Sequence, residues 1–148
     1  MKWASAISEQ TSLEHAVEEC ASEIRSQFSD DTPHLAVVFI SPDYQADFDR
    51  VPELVRQIFD SVVVLGCSGG GIIGNGQEVE QRPAVSITAA SLPGVEIVEF
   101  HLDGDQLPDL DAAPQKWEEP LKVSPETSPQ FVMLADPYSF PVQNLILG

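Results

Sequence analysis

The chain has 148 residues, 43% apolar and 21% charged, a size and balance that suit one domain or a large piece of one and exclude wholesale disorder. Seven Lys and Arg stand against 24 Asp and Glu, leaving a net charge of −17 with no basic stripe. Phosphate backbones and anionic membrane surfaces both require clustered cations, so neither nucleic acid nor membrane is an expected partner.

In chain order, Trp3–Ile7 is a short apolar stretch that turns acidic too soon for a signal peptide and predicts a first strand. Thr11 and Glu14 have capping-box spacing. Leu13, Ala16, Val17, Cys20, Ala21, Ile24 and Phe28 then fall on one helical face. Asp30-Asp31-Thr32-Pro33 ends that helix, and Leu35–Ile40 predicts a buried strand. After the loop Ser41-Pro42-Asp43-Tyr44, a second helix is expected from about Asp49, because Pro52 is tolerated only in a first turn. Val62–Cys67 completes a β-α-β-α-β unit, which favours parallel strands. Ala84–Ala90 and Val95–Leu102, separated by Ser91-Leu92-Pro93-Gly94, predict an antiparallel hairpin, and Phe131–Ala135 a further strand. The expected class is therefore α/β with a mixed sheet and helices packed on it. Residues 103–130 hold five prolines and seven acids and predict a loop, with one helical turn around Pro114–Glu119. Val142–Leu147 opens a helix that Gly148 cuts short, which points to a piece of a longer protein.

Cys20 and Cys67 form no disulfide framework, consistent with a reducing compartment, and no apolar run approaches the roughly 20 residues of a membrane span. Cytoplasm is the expected location. Asp103, Asp105, Asp109 and Asp111 lack the glycine and closing Glu of a calcium loop, and no two histidines have zinc-ligand spacing, so no metal is expected.

Six glycines occupy eleven positions from Gly66 to Gly76. Gly69, Gly71 and Gly74 fit G-x-G-x-x-G, yet the helix that a dinucleotide site needs is replaced by the turn signal Asn75-Gly76. Gly66, Ser68 and Gly70 fit G-x-S-x-G, again without the following helix of a nucleophile elbow. Cys67 stands at the strand terminus, where a thiol ringed by N–H groups can become reactive.

The run Gly66-Cys67-Ser68-Gly69-Gly70-Gly71, with Pro83-Ala84-Val85-Ser86, Leu92-Pro93-Gly94-Val95 and Asp136-Pro137-Tyr138-Ser139-Phe140, resembles the N-terminal part of the FIST domain, from Trp3 to Gly148. The resemblance implies a sensory domain of bacterial signalling proteins, amino acids as proposed ligands, haem in some relatives, a signalling output domain or partner, and a further C-terminal part. It implies no catalytic residue. Gly69-Gly70-Gly71-Ile72 departs from the family motif, so no acidic ligand contact is carried over.

Independently of the family, ligands of open α/β sheets bind beyond the carboxyl ends of the strands. Parallel strands would bring Ser41, Tyr44, Gly66, Cys67, Ser68, Gly69, Gly70, Asp136, Tyr138 and Ser139 to one edge. There the glycine-loop N–H groups would hold a carboxylate and Asp136 an ammonium. Three functions stay open: a ligand-sensing module, a protein-interaction domain, and a hydrolase or thiol enzyme built on Ser68 or Cys67.

Overall fold

A computed structural model describes residues 1–28 and 31–147; Ser29, Asp30 and Gly148 lie outside the described residues. These residues form two compact units, Met1–Ile97 and Val98–Gly148.

The first unit carries the sheet. Its elements are β1 (Lys2–Ser8), α1 (Leu13–Phe28), β2 (Leu35–Ile40), a 3-10 helix (Pro42–Arg50), α2 (Val51–Ile58), β3 (Val63–Ser68), β4 (Gly71–Gly74), β5 (Gln77–Glu80) and β6 (Val85–Ser91). The α/β architecture is the expected one: a β-α-β-α-β unit, an antiparallel hairpin and a further strand. The four-stranded sheet runs β1-β6-β2-β3, with β4 and β5 a separate pair. Because β6 is antiparallel to both β1 and β2, and β3 is parallel to β2, strands β1, β2 and β3 all point one way.

Period-two alternation sorts the strands into two faces. Ala4, Ala6, Ala36, Val38, Ile40, Val85, Ile87 and Ala89 are buried in one core with Leu13, Val17, Cys20, Ile24, Phe28, Val55 and Phe59 of the helical layer. The stripe of α1 predicted from its spacing is this buried set. The helix cap differs by one residue: Ser12, not Thr11, supplies the carbonyl that accepts the first intrahelical bond, from Ala16 N–H at 3.0 Å. Its hydroxyl donates to Glu14 at 2.8 Å.

The opposite face is covered in part by the β4–β5 hairpin, whose Ile72 and Val79 pack with Ala84, Ile7 and Phe39. Asn75 and Gly76 take positive φ (46° and 75°), as a two-residue hairpin loop of the primed type demands. Gly74 lies so close to the sheet that a Cβ there would sit 2.3 Å from Ser86 Oγ.

Two expectations about strands are corrected. Ala84–Ala90 does form β6, but Val95–Leu102 forms no strand, so the antiparallel hairpin lies earlier in the chain, at β4 and β5. Phe131–Ala135 is not a strand either, and Phe131, Val132, Met133 and Leu134 are exposed by 41–71%. An apolar run becomes a strand only where a neighbouring ladder takes its N–H and C=O groups, and β6 fills the available slot between β1 and β2.

The second unit contains short 3-10 turns at Gly104–Gln106 and Pro125–Thr127, helix α3 (Gln115–Leu121) and helix α4 (Val142–Leu147). The helical turn expected at Pro114–Glu119 is α3, ended by Lys122 in the left-handed region. Phe100 and Phe131 meet edge to face with centroids 6.1 Å apart.

Candidate functional site

The carboxyl ends of β1, β2 and β3 share one edge of the sheet, the edge at which open α/β sheets take ligands. Ser41 leaves β2 there and Ser68 ends β3. The Gly69 N–H donates to Ile40 O at 3.0 Å, which ties the glycine turn to the end of β2.

Ser41 and Tyr44 are occupied by the fold. Ser41 is 3% exposed; its hydroxyl donates to Asp43 at 2.9 Å and accepts from the Ala84 N–H at 3.0 Å. Tyr44 is 4% exposed, its ring in the core and its hydroxyl donating to the Gln10 carbonyl. Burial, with the Asp43 and Cys20 charges adding to it, pushes that phenol above its ordinary pKa, so it stays a neutral donor.

Gly66, Cys67, Ser68 and Gly70 are exposed, and Gly69 is half-buried. Gly66 answers a packing demand, since a Cβ there would lie 2.0 Å from the Val38 carbonyl oxygen. Gly70 has nothing within 4 Å of an added Cβ and faces open space. As the edge strand, β3 directs about half of its N–H groups away from β2. The segment following Ser68 is strand β4, so the helix of a nucleophile elbow is absent. His34 stands beside the first residue of β3, five residues and roughly 16 Å along the strand from Ser68.

Asp136, Tyr138 and Ser139 belong to the second unit and close a turn of their own. Asp136 accepts from the Tyr138 N–H at 3.0 Å and from the Ser139 hydroxyl at 2.6 Å. These bonds, the serine's foremost, hold its carboxyl below the usual range and keep it ionised.

Sequence reasoning missed a cleft of about 340 Å³ at the carboxyl end of β1, lined by Ile7, Ser8, Glu9, Gln10, Glu19 and Gln77. A legible signal existed: Ser8 ends the inward series Ala4, Ala6, Ser8, a polar residue at a core position. The convergence of Glu19 from α1 and Gln77 from β5 was not legible, being tertiary. A smaller cleft of about 270 Å³ at the amino ends of β2 and β3 includes Arg25 and Phe59. Arg25 is committed there, donating to the Ile58 carbonyl at 2.6 Å and lying 5.7 Å from the Phe59 ring centre.

Residues 34–148 match the family model described as FIST N domain. The chain belongs to the FIST family. FIST domains are generally sensory domains of signalling proteins, which gives this chain a sensory role in outline. Two relatives from Mycobacterium tuberculosis, "Uncharacterized protein MT0656" of strain CDC 1551 / Oshkosh and "Uncharacterized protein Rv0628c" of strain ATCC 25618 / H37Rv, are each 33% identical over 94 residues. The matched region is 62% of this chain and 23% of either relative, so the FIST chain spans less than a quarter of their length. No solved structure matches it.

For the haem that the family resemblance implies in some relatives, the described residues show no histidine in either cleft. His15, His34 and His101 are all exposed, and His34 Nδ1 already accepts from the Leu92 N–H at 2.9 Å. Among the described residues no group of three or more His, Cys, Asp or Glu could hold a metal ion, and no helix is long and apolar enough to cross a membrane.

Proposed function

We propose that this chain is the small-ligand-sensing part of an intracellular signal-transduction protein, taking an amino acid or related small carboxylate at the carboxyl edge of β2 and β3. The observation that carries the reading is the turn from Cys67 to Gly70, exposed at Cys67, Ser68 and Gly70 and anchored at half-buried Gly69 by its bond to Ile40. Backbone N–H groups in such a turn attract an anion without any lysine or arginine, which this acidic chain scarcely has.

Gly70→Val tests it, because an added Cβ there meets no atom within 4 Å and the backbone is not at positive φ. Thermal-shift titration with amino acids and small carboxylates is expected to raise Tm in the parent chain, with the rise lost in Gly70→Val at unchanged unliganded Tm. Absence of any shift at millimolar ligand, or a shift that survives in Gly70→Val, overturns the reading.

A second reading, a protein-interaction domain, is favoured by β3 itself. The Val63-Val64-Leu65-Gly66-Cys67-Ser68 edge has neither charge nor proline, the devices that keep edge strands from pairing. Leu65→Lys would then abolish association with a partner while leaving any ligand-induced Tm rise intact.

A further inference from the structure

Ser8 is 2% exposed, on a face of β1 where Ala4 and Ala6 are the other inward residues. A buried hydroxyl in an apolar core needs a partner, and Ser8 donates to Glu19 on α1. That bond fixes a surface carboxylate at the mouth of the cleft on the β1 end of the sheet. We infer that this cleft binds a small organic cation, an aliphatic primary amine without a carboxylate.

The lining selects for that chemistry. The lining itself contains no Lys, Arg or His, and the cation beside it, Arg82, is bound to Glu9. That pairing, at 2.6 Å, leaves Glu19 as the lining carboxylate with no cation paired to it among the described residues. Its Oε2 takes the Ser8 hydroxyl, and its Oε1 has no partner among the described residues. The side-chain amides of Gln10 and Gln77 add oxygens that accept ammonium N–H, and half-buried Ile7 offers an apolar surface to methylene groups. A volume of about 340 Å³ suits a short alkyl amine. The net charge of −17 raises the local concentration of any cation. A bare divalent ion is disfavoured because it needs several oxygen ligands, and the described residues hold no such group.

This site lies three strands from the glycine turn, roughly 14 Å across the sheet. It therefore stands whether or not that turn holds a carboxylate.

Calorimetric titration of the full chain with 1,4-diaminobutane and butylamine is the test, with butyrate and Mg²⁺ as comparison probes. Saturable amine binding is expected, at least tenfold weaker in Glu19→Gln and unchanged in Glu18→Gln, which removes the same charge from an exposed position outside the cleft. Ser8→Ala, which continues the alanine series, is expected to weaken binding severalfold by releasing Glu19. No saturable amine binding at millimolar concentration, or equal losses in Glu18→Gln and Glu19→Gln, overturns the proposal. Butyrate binding as tightly as butylamine, or Mg²⁺ displacing the amine at equal concentration, overturns it too. Because Glu19 is exposed, its variant keeps the test decisive even if Ser8→Ala fails to fold.

Discussion

Ser41 and Ala84 hold each other by two hydrogen bonds: the Ser41 N–H donates to the Ala84 carbonyl at 2.9 Å, and the Ala84 N–H donates to Ser41 Oγ at 3.0 Å. Both residues are buried, so Ser41→Ala leaves the Ala84 N–H without a partner in the interior. Stranding a buried donor costs about 1–3 kcal/mol. Urea unfolding of Ser41→Ala is expected to show that loss at unchanged m-value, marking Ser41 as a fastener of β6 to the carboxyl edge.

Gly74→Ala is expected to lift the β4–β5 hairpin from the sheet, because the added Cβ meets Ser86 Oγ at 2.3 Å. Overpacking of this kind costs about 1–3 kcal/mol. Adding Ser86→Ala removes the hydroxyl but leaves a Cβ contact at 3.0 Å, so the double variant recovers part of the loss. A double-mutant cycle in urea measures the coupling.

The two thiols differ in access. Cys20 is fully buried in the core, its thiol donating to the Val85 carbonyl, whereas Cys67 is exposed on the edge strand. Native protein is expected to consume one equivalent of a thiol reagent such as DTNB, with Cys67→Ser abolishing it and denaturant releasing a second equivalent.

Burial, assisted by the Glu19 and Glu23 charges, pushes the Cys20 thiol from an ordinary 9.0 up to about 12. The folded state thus keeps this proton more tightly than the unfolded state does. The resulting stability is fully present below pH 9 and falls away as pH rises from 9 towards 12. Urea midpoints of the parent chain are expected to decline across that window more steeply than those of Cys20→Ala.

Glu14 behaves in the opposite sense. Its own backbone N–H, the Ser12 hydroxyl and the Arg50 guanidinium lower its carboxyl from 4.5 to about 2. Its stabilising effect is present above pH 4.5 and is lost as pH falls from there towards 2. An NMR titration of the side-chain carboxyl carbon is expected to give a midpoint near 2, moved upward in Arg50→Gln.

Local patterns in the sequence carried α1 and β2, because an apolar stripe and an unbroken apolar run each specify their own burial. The Asn75-Gly76 turn was equally legible, since few dipeptides accept two successive positive φ values. Strand partnership was not legible. Val95–Leu102 and Phe131–Ala135 are as apolar as strands, yet only Ala84–Ala90 meets two neighbours that bond it. The same limit applied to the candidate site. Ser41 and Tyr44 were correctly placed at or just beyond a strand terminus, but their hydroxyls are spent on Ala84, Asp43 and Gln10. Hydrogen-bond accounting of that kind exists only once the chain is folded.

The position of β6 governs how the chain must be assembled. Residues 85–91 form the last strand among the described residues but take the slot between β1 and β2, with Ser5 and Thr88 bonded side chain to side chain at 3.0 Å across 83 residues. Until residue 91 has left the ribosome, β1 and the β2–β3 pair lack the β6 ladder that joins their two inner edges. Completion of the sheet is therefore a late, long-range step on a growing chain, and a stalled product ending before residue 85 presents sticky strand edges for a chaperone to shield.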